Sequence, residues 1–298
     1  MQLRGIDTLG FDHVYVINLP KRIDRREKIF TELSYLGLEH TYCINPVDGN
    51  NIDISDLIKL KKINPYFIDP VGIVTTGMYG CAFSHYNVWT EFLESGYDTA
   101  LILEDDVYLG TPKDEVFMRL WKLISEELVT LDWDIFFLAR LSVNLFGDKV
   151  TENIIKPHSS WEIKKHGVWG AHAYVITRKA AERMVKDYLP VKYAVDVFID
   201  SYTSDKELNV YSVNTSYWYQ YSAFLRMERS RAIKEATQQY RDIDSDINDY
   251  VKGNVLSQNH INKNYVKVQI YYNNRTYNFL TKESYKEFIN EDKLKEVL

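Results

Sequence analysis

Three consecutive acids, Glu104, Asp105 and Asp106, are the residues whose types and spacing point most directly to chemistry. They follow residues 99–103, an apolar run that predicts a buried β-strand. Ligands of open α/β sheets bind at the carboxyl ends of strands, and adjacent carboxylates raise one another's pKa unless a cation neutralises them. A divalent ion such as Mn²⁺ or Mg²⁺, with phosphate and water as further ligands, would supply that charge. The alternative is a solvated acidic loop.

A basic segment at residues 18–26, which contains Asn18, Arg22 and Arg25, is the second candidate. It joins a predicted strand to a predicted helix, and the N–H groups at a helix N-terminus bind anions. Basic side chains oppose the helix dipole there, so a phosphate-facing role accounts for them slightly better than a solvated basic face, although both stay open. An acidic and a basic loop on one sheet indicate a nucleoside diphosphate with its metal, as in a nucleotide-sugar transferase.

Several other kinds of site lack their motifs in this sequence. It has no Walker A segment, no G-x-G-x-x-G, no H-E-x-x-H and no paired C-x-x-C, which excludes P-loop enzymes, ordinary dinucleotide binders and the common zinc sites. Its 36 basic and 42 acidic side chains give a net charge of −6, unlike the basic footprint of a nucleic-acid binder. Because the only cysteines are Cys43 and Cys81, no disulfide framework is expected.

The elements that must position these residues alternate between strand-like and helix-like segments. Short apolar runs at 13–18, 99–103, 134–138 and 172–176 predict strands, and helical patterns lie between them. Such alternation predicts an α/β fold with a Rossmann-like, mostly parallel central sheet and helices on both faces.

The character of the sequence changes near its C-terminal quarter. Residues 226–298 hold 13 basic and 11 acidic side chains, a balance of +2, which leaves −8 for residues 1–225. We therefore predict one domain at 1–225 and a small α+β C-terminal extension at 226–298. The extension would contain a charged helix, a hairpin of 265–272 with 276–280, and a final helix after residue 281.

An ordered series of short motifs gives the sequence a family resemblance. The motifs, in chain order, are Val14-Tyr15-Val16-Ile17-Asn18-Leu19 with Arg22, Arg25 and Arg26, then Val47-Asp48-Gly49, Gly80-Cys81-Ala82-Phe83-Ser84-His85-Tyr86-Asn87-Val88-Trp89, Leu101-Ile102-Leu103-Glu104-Asp105-Asp106-Val107, Asp132-Trp133-Asp134-Ile135, Gly170-Ala171-His172-Ala173-Tyr174-Val175-Ile176 and Val195-Asp196. This series resembles glycosyltransferase family 25, which includes lipooligosaccharide and procollagen galactosyltransferases and giant-virus relatives. The resemblance covers roughly residues 12–222.

The resemblance implies a GT-A fold, a UDP-sugar donor (most often UDP-galactose), dependence on Mn²⁺ or Mg²⁺, and inversion at the anomeric carbon. The acids occupy the place of the family's DxD-like motif, with Asp106 and Glu104 as the implied metal ligands. The implied donor-site residues are Asn18, Arg22, Arg25, Asp48, Ser84, His85, Glu104 and Asp105. Of these, Asp48 would lie near the uridine, and Ser84 with His85 would face the donor, although His85 could equally be a packed helix histidine.

An inverting transfer also needs a carboxylate that takes the proton of the acceptor hydroxyl. The match at Val195-Asp196 makes Asp196 the first candidate for this base, and Asp200, four residues further on, is the second. A helix cap or a hydrogen bond to the acceptor is the alternative role for Asp196.

Two positions depart from the family pattern. Met78 stands where the family usually has an acid, and Ala139 stands where a glycine is common. These departures keep open a rival function, a catalytically inactive nucleotide-sugar-binding or scaffold protein of the same fold. A methyltransferase-like domain is disfavoured because residues 18–26 contain no glycine.

The expected partners are a UDP-sugar donor and a glycan or a collagen-like hydroxylysine as acceptor, with no nucleic acid and with a homodimer through residues 226–298 left open. Asp7 and Asp12 interrupt what would be the apolar core of a signal peptide. No run approaches the roughly 18 apolar residues of a membrane helix. We therefore expect a soluble, cytoplasmic protein of bacterial or viral origin.

Overall fold

The computed structural model describes residues 11–35, 38, 41–63, 66–68, 76–109, 123–139, 147–158, 170–214, 219–220, 265–272 and 275–281. Contacts divide the chain into two units. The first comprises Met1–Pro46, Ser84–Val185 and Val195–Ser245, and the second comprises Val47–Phe83, Lys186–Ala194 and Asp246–Leu298. The helices predicted within 226–298 lie outside the described residues. The domain boundary at residue 225 and the homodimer also stay predictions.

The described residues form thirteen strands and five α-helices. The strands are β1 (His13–Ile17), β2 (Thr41–Ile44), β3 (Tyr66–Ile68), β4 (Thr99–Glu104), β5 (Val107–Tyr108), β6 (Ile135–Ala139), β7 (Gly147–Lys149), β8 (Ile154–Pro157), β9 (Ala173–Thr177), β10 (Val210–Val213), β11 (Tyr219–Gln220), β12 (Tyr265–Tyr272) and β13 (Arg275–Thr281). The helices are α1 (Ile23–Tyr35), α2 (Ile54–Lys59), α3 (Thr76–Ser95), α4 (Arg178–Tyr188) and α5 (Val195–Ser201). No helix among the described residues is both long enough and apolar enough to cross a membrane.

The first unit is built on an eight-stranded sheet with the order β2-β1-β4-β9-β6-β10-β8-β7. Strand β1 is parallel to both β2 and β4, and β10 is parallel to β6. Strands β9 and β8 are antiparallel to their neighbours, so six of the eight strands run in one direction. The expected α/β fold with a mostly parallel central sheet is confirmed, and all four predicted strands belong to that sheet.

Helices cover both faces of this sheet. Successive side chains of a strand point to opposite sides, so the apolar strands place hydrophobic side chains on both faces, and each face packs against a helix. On one face, Val14 and Val16 of β1 and Leu103 of β4 pack in one core cluster with Ile29 and Leu33 of α1. The hydrophobic residues of α1 recur at helical spacing, which places them together on the side that meets the sheet. Full burial of each such side chain contributes roughly 1.5–3 kcal/mol.

The opposite face carries larger aromatic residues. Tyr15 of β1 meets Phe92 of α3 edge to face at 6.4 Å between ring centroids. Tyr174 of β9 accepts a hydrogen bond from the indole N–H of Trp89, also on α3, at 2.9 Å. Trp89 also lies 6.0 Å from the ring of Phe198 on α5. The part of α3 from Ser84 onwards is thereby fixed against the central strands.

The second unit contains a small antiparallel sheet. Strands β12 and β13 form the expected hairpin, in which Tyr272 pairs with Arg275. The other edge of β13 pairs with β3, a strand from much earlier in the chain. The hairpin is therefore one part of a three-stranded sheet in the order β12-β13-β3.

A tight turn in the second unit packs directly on the beginning of α3. The Asp48 carboxylate caps the turn by accepting a hydrogen bond from the Asn50 N–H at 3.0 Å. A Cβ atom added to Gly80 of α3 would lie only 2.6 Å from the carbonyl oxygen of Val47. Position 80 therefore has no room for a side chain, which explains the glycine that precedes Cys81.

Replacement of Gly80 tests this packing. In an ordinary helix interior, Gly→Ala stabilises by up to about 1 kcal/mol. In Gly80→Ala the new methyl group meets backbone, and we expect the free energy of unfolding to fall by roughly 1–3 kcal/mol instead. Urea unfolding followed by circular dichroism measures the change, and a gain in stability would contradict the close approach.

Candidate active site

The acidic residues lie where the central strands of the first unit end. Strands β1 and β4 are parallel neighbours in a register that sets Ile17 beside Glu104. The N–H of Asp105 donates to the carbonyl of Ile17 at 3.1 Å, and the N–H of Glu104 donates to the carbonyl of His172 at 3.0 Å. The acidic loop therefore leaves the sheet at the carboxyl ends of β1 and β4, where α/β folds bind ligands.

Asp105 is held through both of its oxygens by the loop that follows β1 and by the first turn of α1. The amide of Asn18 donates to Oδ2 at 2.8 Å, and Nη1 of Arg25 donates to Oδ1 at 2.9 Å. The same Arg25 atom lies 3.8 Å from the nearer oxygen of Asp106. Burial raises the pKa of the Asp105 carboxyl, and the charge of Arg25 together with the Asn18 hydrogen bond opposes that rise. The chain thus provides a cation of its own, Arg25 of α1, beside the acidic loop.

Arg22 makes a more exposed ion pair. Its guanidinium donates to both oxygens of Asp24, at 3.0 and 2.9 Å. The hydrogen bond from Arg22 lowers the pKa of the Asp24 carboxyl to about 2. The Arg22 carbonyl also accepts a hydrogen bond from the Asn18 amide at 3.2 Å. Asn18 therefore connects the basic loop to Asp105.

Glu104 contacts a buried group on the other face of the sheet. Nε2 of His85 lies 3.1 Å from the Glu104 carboxylate, and Nδ1 of the same ring lies 2.8 Å from the Tyr174 hydroxyl. Burial opposes ionisation of Glu104, but the hydrogen bond from His85 together with nearby cationic groups such as Arg25 outweighs it, so the net pKa of Glu104 is lowered. Ser84, the neighbour of His85 on α3, is also buried.

Tyr174 and Trp89 were not among the predicted site residues. The signal available in the sequence was spacing, because His85 and Trp89 are four residues apart and so lie on one face of α3. The contribution of Tyr174 depends on the antiparallel pairing of β9 with β4, which sets Tyr174 beside Ile102.

The two candidate bases lie on α5. The Asp196 carboxylate accepts hydrogen bonds from the N–H of Gly170 at 3.1 Å and from the N–H of Val197 at 2.9 Å. Burial raises the pKa of Asp196, these N–H groups oppose the rise, and the charge of Glu104 adds to it. Gly170 has a φ of 105°, a conformation that glycine adopts readily and other residues do not. Asp200, one turn further along, is buried with 1% of its surface exposed.

Unlike the other predicted site residues, Asp48 belongs to the second unit, where it caps the turn described above. Asn18, Arg25, Asp105 and Asp106 form one contiguous cluster in the first unit, and Glu104 joins that cluster to His85. Asp196 is connected to the same cluster electrostatically, through the charge of Glu104.

The donor set of the acidic loop suits a hard divalent cation. Carboxylate oxygens are the ligands that Mn²⁺ and Mg²⁺ prefer. Both oxygens of Asp105 are engaged by Asn18 and Arg25, so Asp106 and Glu104 fit the role of ligands better. The residues present therefore fit a metal of this class.

The difference between the two arginine pairs can be measured on the metal-free protein. Arg25 and Asp105 expose only 13% and 9% of their side chains, whereas Asp24 exposes 66%. Removal of one partner from a buried pair costs about 3–5 kcal/mol, and an exposed pair contributes about 0–1 kcal/mol. We expect Arg25→Met to lower the free energy of unfolding by several times the loss in the matched control Arg22→Met. Equal losses in urea unfolding would contradict this distinction.

Comparison with known proteins places the chain in a family. Residues 11–199 match the model described as glycosyltransferase family 25 (LPS biosynthesis protein). Procollagen galactosyltransferase 1 of Danio rerio is 32% identical over 63% of this chain and 32% of its own length. The inactive glycosyltransferase 25 family member 3 of Mus musculus is 28% identical over 68% of this chain and 34% of its own length. The chain thus spans about a third of the length of these relatives.

Among solved structures, A197 from STIV aligns over 69% of this chain and 81% of its own at 12% identity and a TM-score of 0.33, a likeness too low to bear on function. The family match is stronger evidence than this structural likeness, because it extends over more than half of the chain and includes the acidic loop, the basic loop and Asp196. The chain belongs to glycosyltransferase family 25.

Proposed function

We propose that this protein is a metal-dependent, inverting glycosyltransferase that moves a hexose, with galactose favoured, from a UDP-sugar to a hydroxyl acceptor. The observation that carries the proposal is the acidic loop at the carboxyl ends of β1 and β4, bonded to Asn18 and Arg25. Such a site offers cationic and anionic groups at one edge of a sheet, as the diphosphate of a nucleotide sugar and its counter-ion require.

The basic loop is the proposed diphosphate site. A guanidinium has five N–H donors in a fixed plane, so Arg25 can bind Asp105 and also donate to a phosphate oxygen. Asp105 would then orient Arg25 before the donor arrives, which reduces the entropy lost on binding. Arg22 and Asn18 would complete this side.

Asp106 and Glu104 are the proposed metal ligands. A divalent ion bound there would neutralise charge that develops on the leaving diphosphate. The chain's own residues prepare the site, because Asn18 and Arg25 fix Asp105 and His85 fixes Glu104.

Asp196 is the proposed general base, with Asp200 second. The N–H groups of Gly170 and Val197 hold the Asp196 carboxylate in one orientation. A base works best when its pKa lies near the working pH, and burial moves the pKa of Asp196 in that direction. Asp196 would accept the proton of the acceptor hydroxyl as that oxygen attacks the anomeric carbon, whose configuration is inverted.

The acceptor is proposed as either a collagen-like hydroxylysine or a sugar hydroxyl of a glycan. The first follows from the named activity of the Danio rerio relative, and the second from the description of the family as LPS biosynthesis proteins. Hydrolysis and transfer assays with a panel of UDP-sugars, followed by collagen-like peptides and oligosaccharides as acceptors, separate the two.

An inactive donor-binding protein is the second candidate function. It is favoured by the mouse relative named inactive and by Met78, which replaces an acid usual in the family. Slow hydrolysis of UDP-galactose in the presence of Mn²⁺ would establish activity, because many transferases pass their donor to water. Donor binding without hydrolysis or transfer would support the inactive protein.

Replacement of Asp106 tests the metal site. Asp106→Ala removes a hard oxygen ligand, and we expect the affinity for UDP in the presence of Mn²⁺ to fall at least about tenfold. Isothermal titration calorimetry with and without Mn²⁺ measures this, and Asp148→Ala, an exposed acid of β7, is the control. Unchanged affinity in Asp106→Ala would refute the metal role.

Replacement of Asp196 tests the base. Asp196→Asn keeps the size of the side chain but cannot accept a proton, so we expect the transfer rate to fall by about 10²–10⁴ with Mn²⁺-dependent UDP binding retained. Asp200→Asn, made in parallel, identifies which carboxylate acts. Near-normal turnover of Asp196→Asn with a folded circular dichroism spectrum would exclude it as the base.

A further inference from the structure

We infer that Tyr174 is a positioning residue, which fixes the ring proton of His85 and so directs Nε2–H onto the Glu104 carboxylate. Three hydrogen bonds carry this inference: Trp89 to Tyr174 at 2.9 Å, Tyr174 to His85 Nδ1 at 2.8 Å, and His85 Nε2 to Glu104 at 3.1 Å. The predicted effect on the metal site rests on the proposed function, whereas the predicted direction of these hydrogen bonds is independent of it.

When the His85 imidazole is neutral, the two ends of this chain of bonds determine its direction. The indole N–H of Trp89 can only donate, so the Tyr174 oxygen accepts from it. A carboxylate can only accept, so the Nε2 atom of His85 carries a proton. In the neutral ring Nδ1 is then an acceptor, and it takes the hydroxyl proton of Tyr174. Each group thereby uses a donor or acceptor of the required kind.

Burial gives the arrangement its strength. His85, Trp89 and Tyr174 each have 0% of their surface exposed, so bulk water does not compete for their polar atoms. The rings of His85 and Tyr174 lie at 27° to one another with centroids 5.7 Å apart, which restricts rotation of the imidazole. Loss of one partner in such a network leaves a buried group unsatisfied.

The chain of bonds also joins three elements. Trp89 and His85 belong to α3, Tyr174 to β9, and Glu104 ends β4. The helix is thereby tied to the end of the central strand at the point where the acidic loop begins. The hydrogen-bonding partners of a ligating carboxylate tune its orientation, and their loss typically costs about 10–100-fold in metal affinity or activity.

Tyr174→Phe isolates the hydroxyl group, because the ring and its packing are retained. Tyr15→Phe is the matched control: Tyr15 and Tyr174 flank Ile102 from the two neighbouring strands, and the Tyr15 hydroxyl bonds to Ser95 instead of His85. Trp89→Phe, which removes the first donor of the chain, is a second variant in case Tyr174→Phe does not fold.

The first measurement is ¹⁵N NMR of the metal-free protein with labelled histidine, in which the His85 ring is assigned by its absence from His85→Gln. We expect a protonated Nε2 and an unprotonated Nδ1 in the wild type and in Tyr15→Phe, and a changed proton distribution in Tyr174→Phe. A protonated Nδ1 in the wild type, or an unchanged His85 pattern in Tyr174→Phe, would overturn the inference.

The second measurement is calorimetric titration of UDP with Mn²⁺ present. We expect Tyr174→Phe to weaken binding by about 10–100-fold and Tyr15→Phe to leave it unchanged. Unchanged binding in Tyr174→Phe would remove the positioning role. If the wild type itself binds no UDP with Mn²⁺, the proposed function fails instead, and the NMR result still decides the direction of the bonds.

Discussion

The hydrogen bonds of Asp105 to Asn18 and Arg25 are the interaction on which the rest of the candidate site depends. A carboxylate that is almost fully buried is costly unless its oxygens are paired. The partners are 87 and 80 residues away in the sequence, and they reach Asp105 only because β1 and β4 are adjacent and parallel. The geometry of the site therefore depends on the strand order of the sheet. With a different neighbour beside β4, Asp105 would be buried without Arg25.

The alternation of side chains along β4 explains why neighbouring acids meet different surroundings. Leu103 packs on the face that α1 covers, and Ile102 lies on the face that carries Tyr174. Continued past the end of the strand, this alternation sends Glu104 towards His85 of α3 and Asp105 towards Arg25 of α1. The pKa of Glu104 is lowered and that of Asp105 is raised, because the groups around Glu104 together outweigh its burial and those around Asp105 do not.

Much of this arrangement could be predicted from local sequence. The strand at 99–103 is uniformly apolar because β4 is buried between β1 and β9, and the acids that end it had to lie at the edge of the sheet. The choice of Arg25 over Arg22 as the partner of Asp105 could not be predicted, since both arginines flank the same helix start and only burial distinguishes them. The contact of His85 with Tyr174 depends on β9 running antiparallel beside β4. The hydrophobic periodicity of the sequence predicts strands but not their order in the sheet.

The two departures from the family pattern bear on whether this chain is an enzyme or an inactive relative. The bonds of Asp105 to Asn18 and Arg25, and of Glu104 to His85, are formed with methionine at position 78. Ala139 pairs with Ala173 next to an irregularity in the register of β6 and β9, where two small buried side chains face each other. A chain with no charged ligand would not need a buried arginine–carboxylate pair, because apolar residues of similar volume are often as stable. The pair of Arg25 with Asp105 beside Glu104 and Asp106 therefore favours a site for a charged ligand, a feature that the enzyme and the inactive donor-binding protein would share.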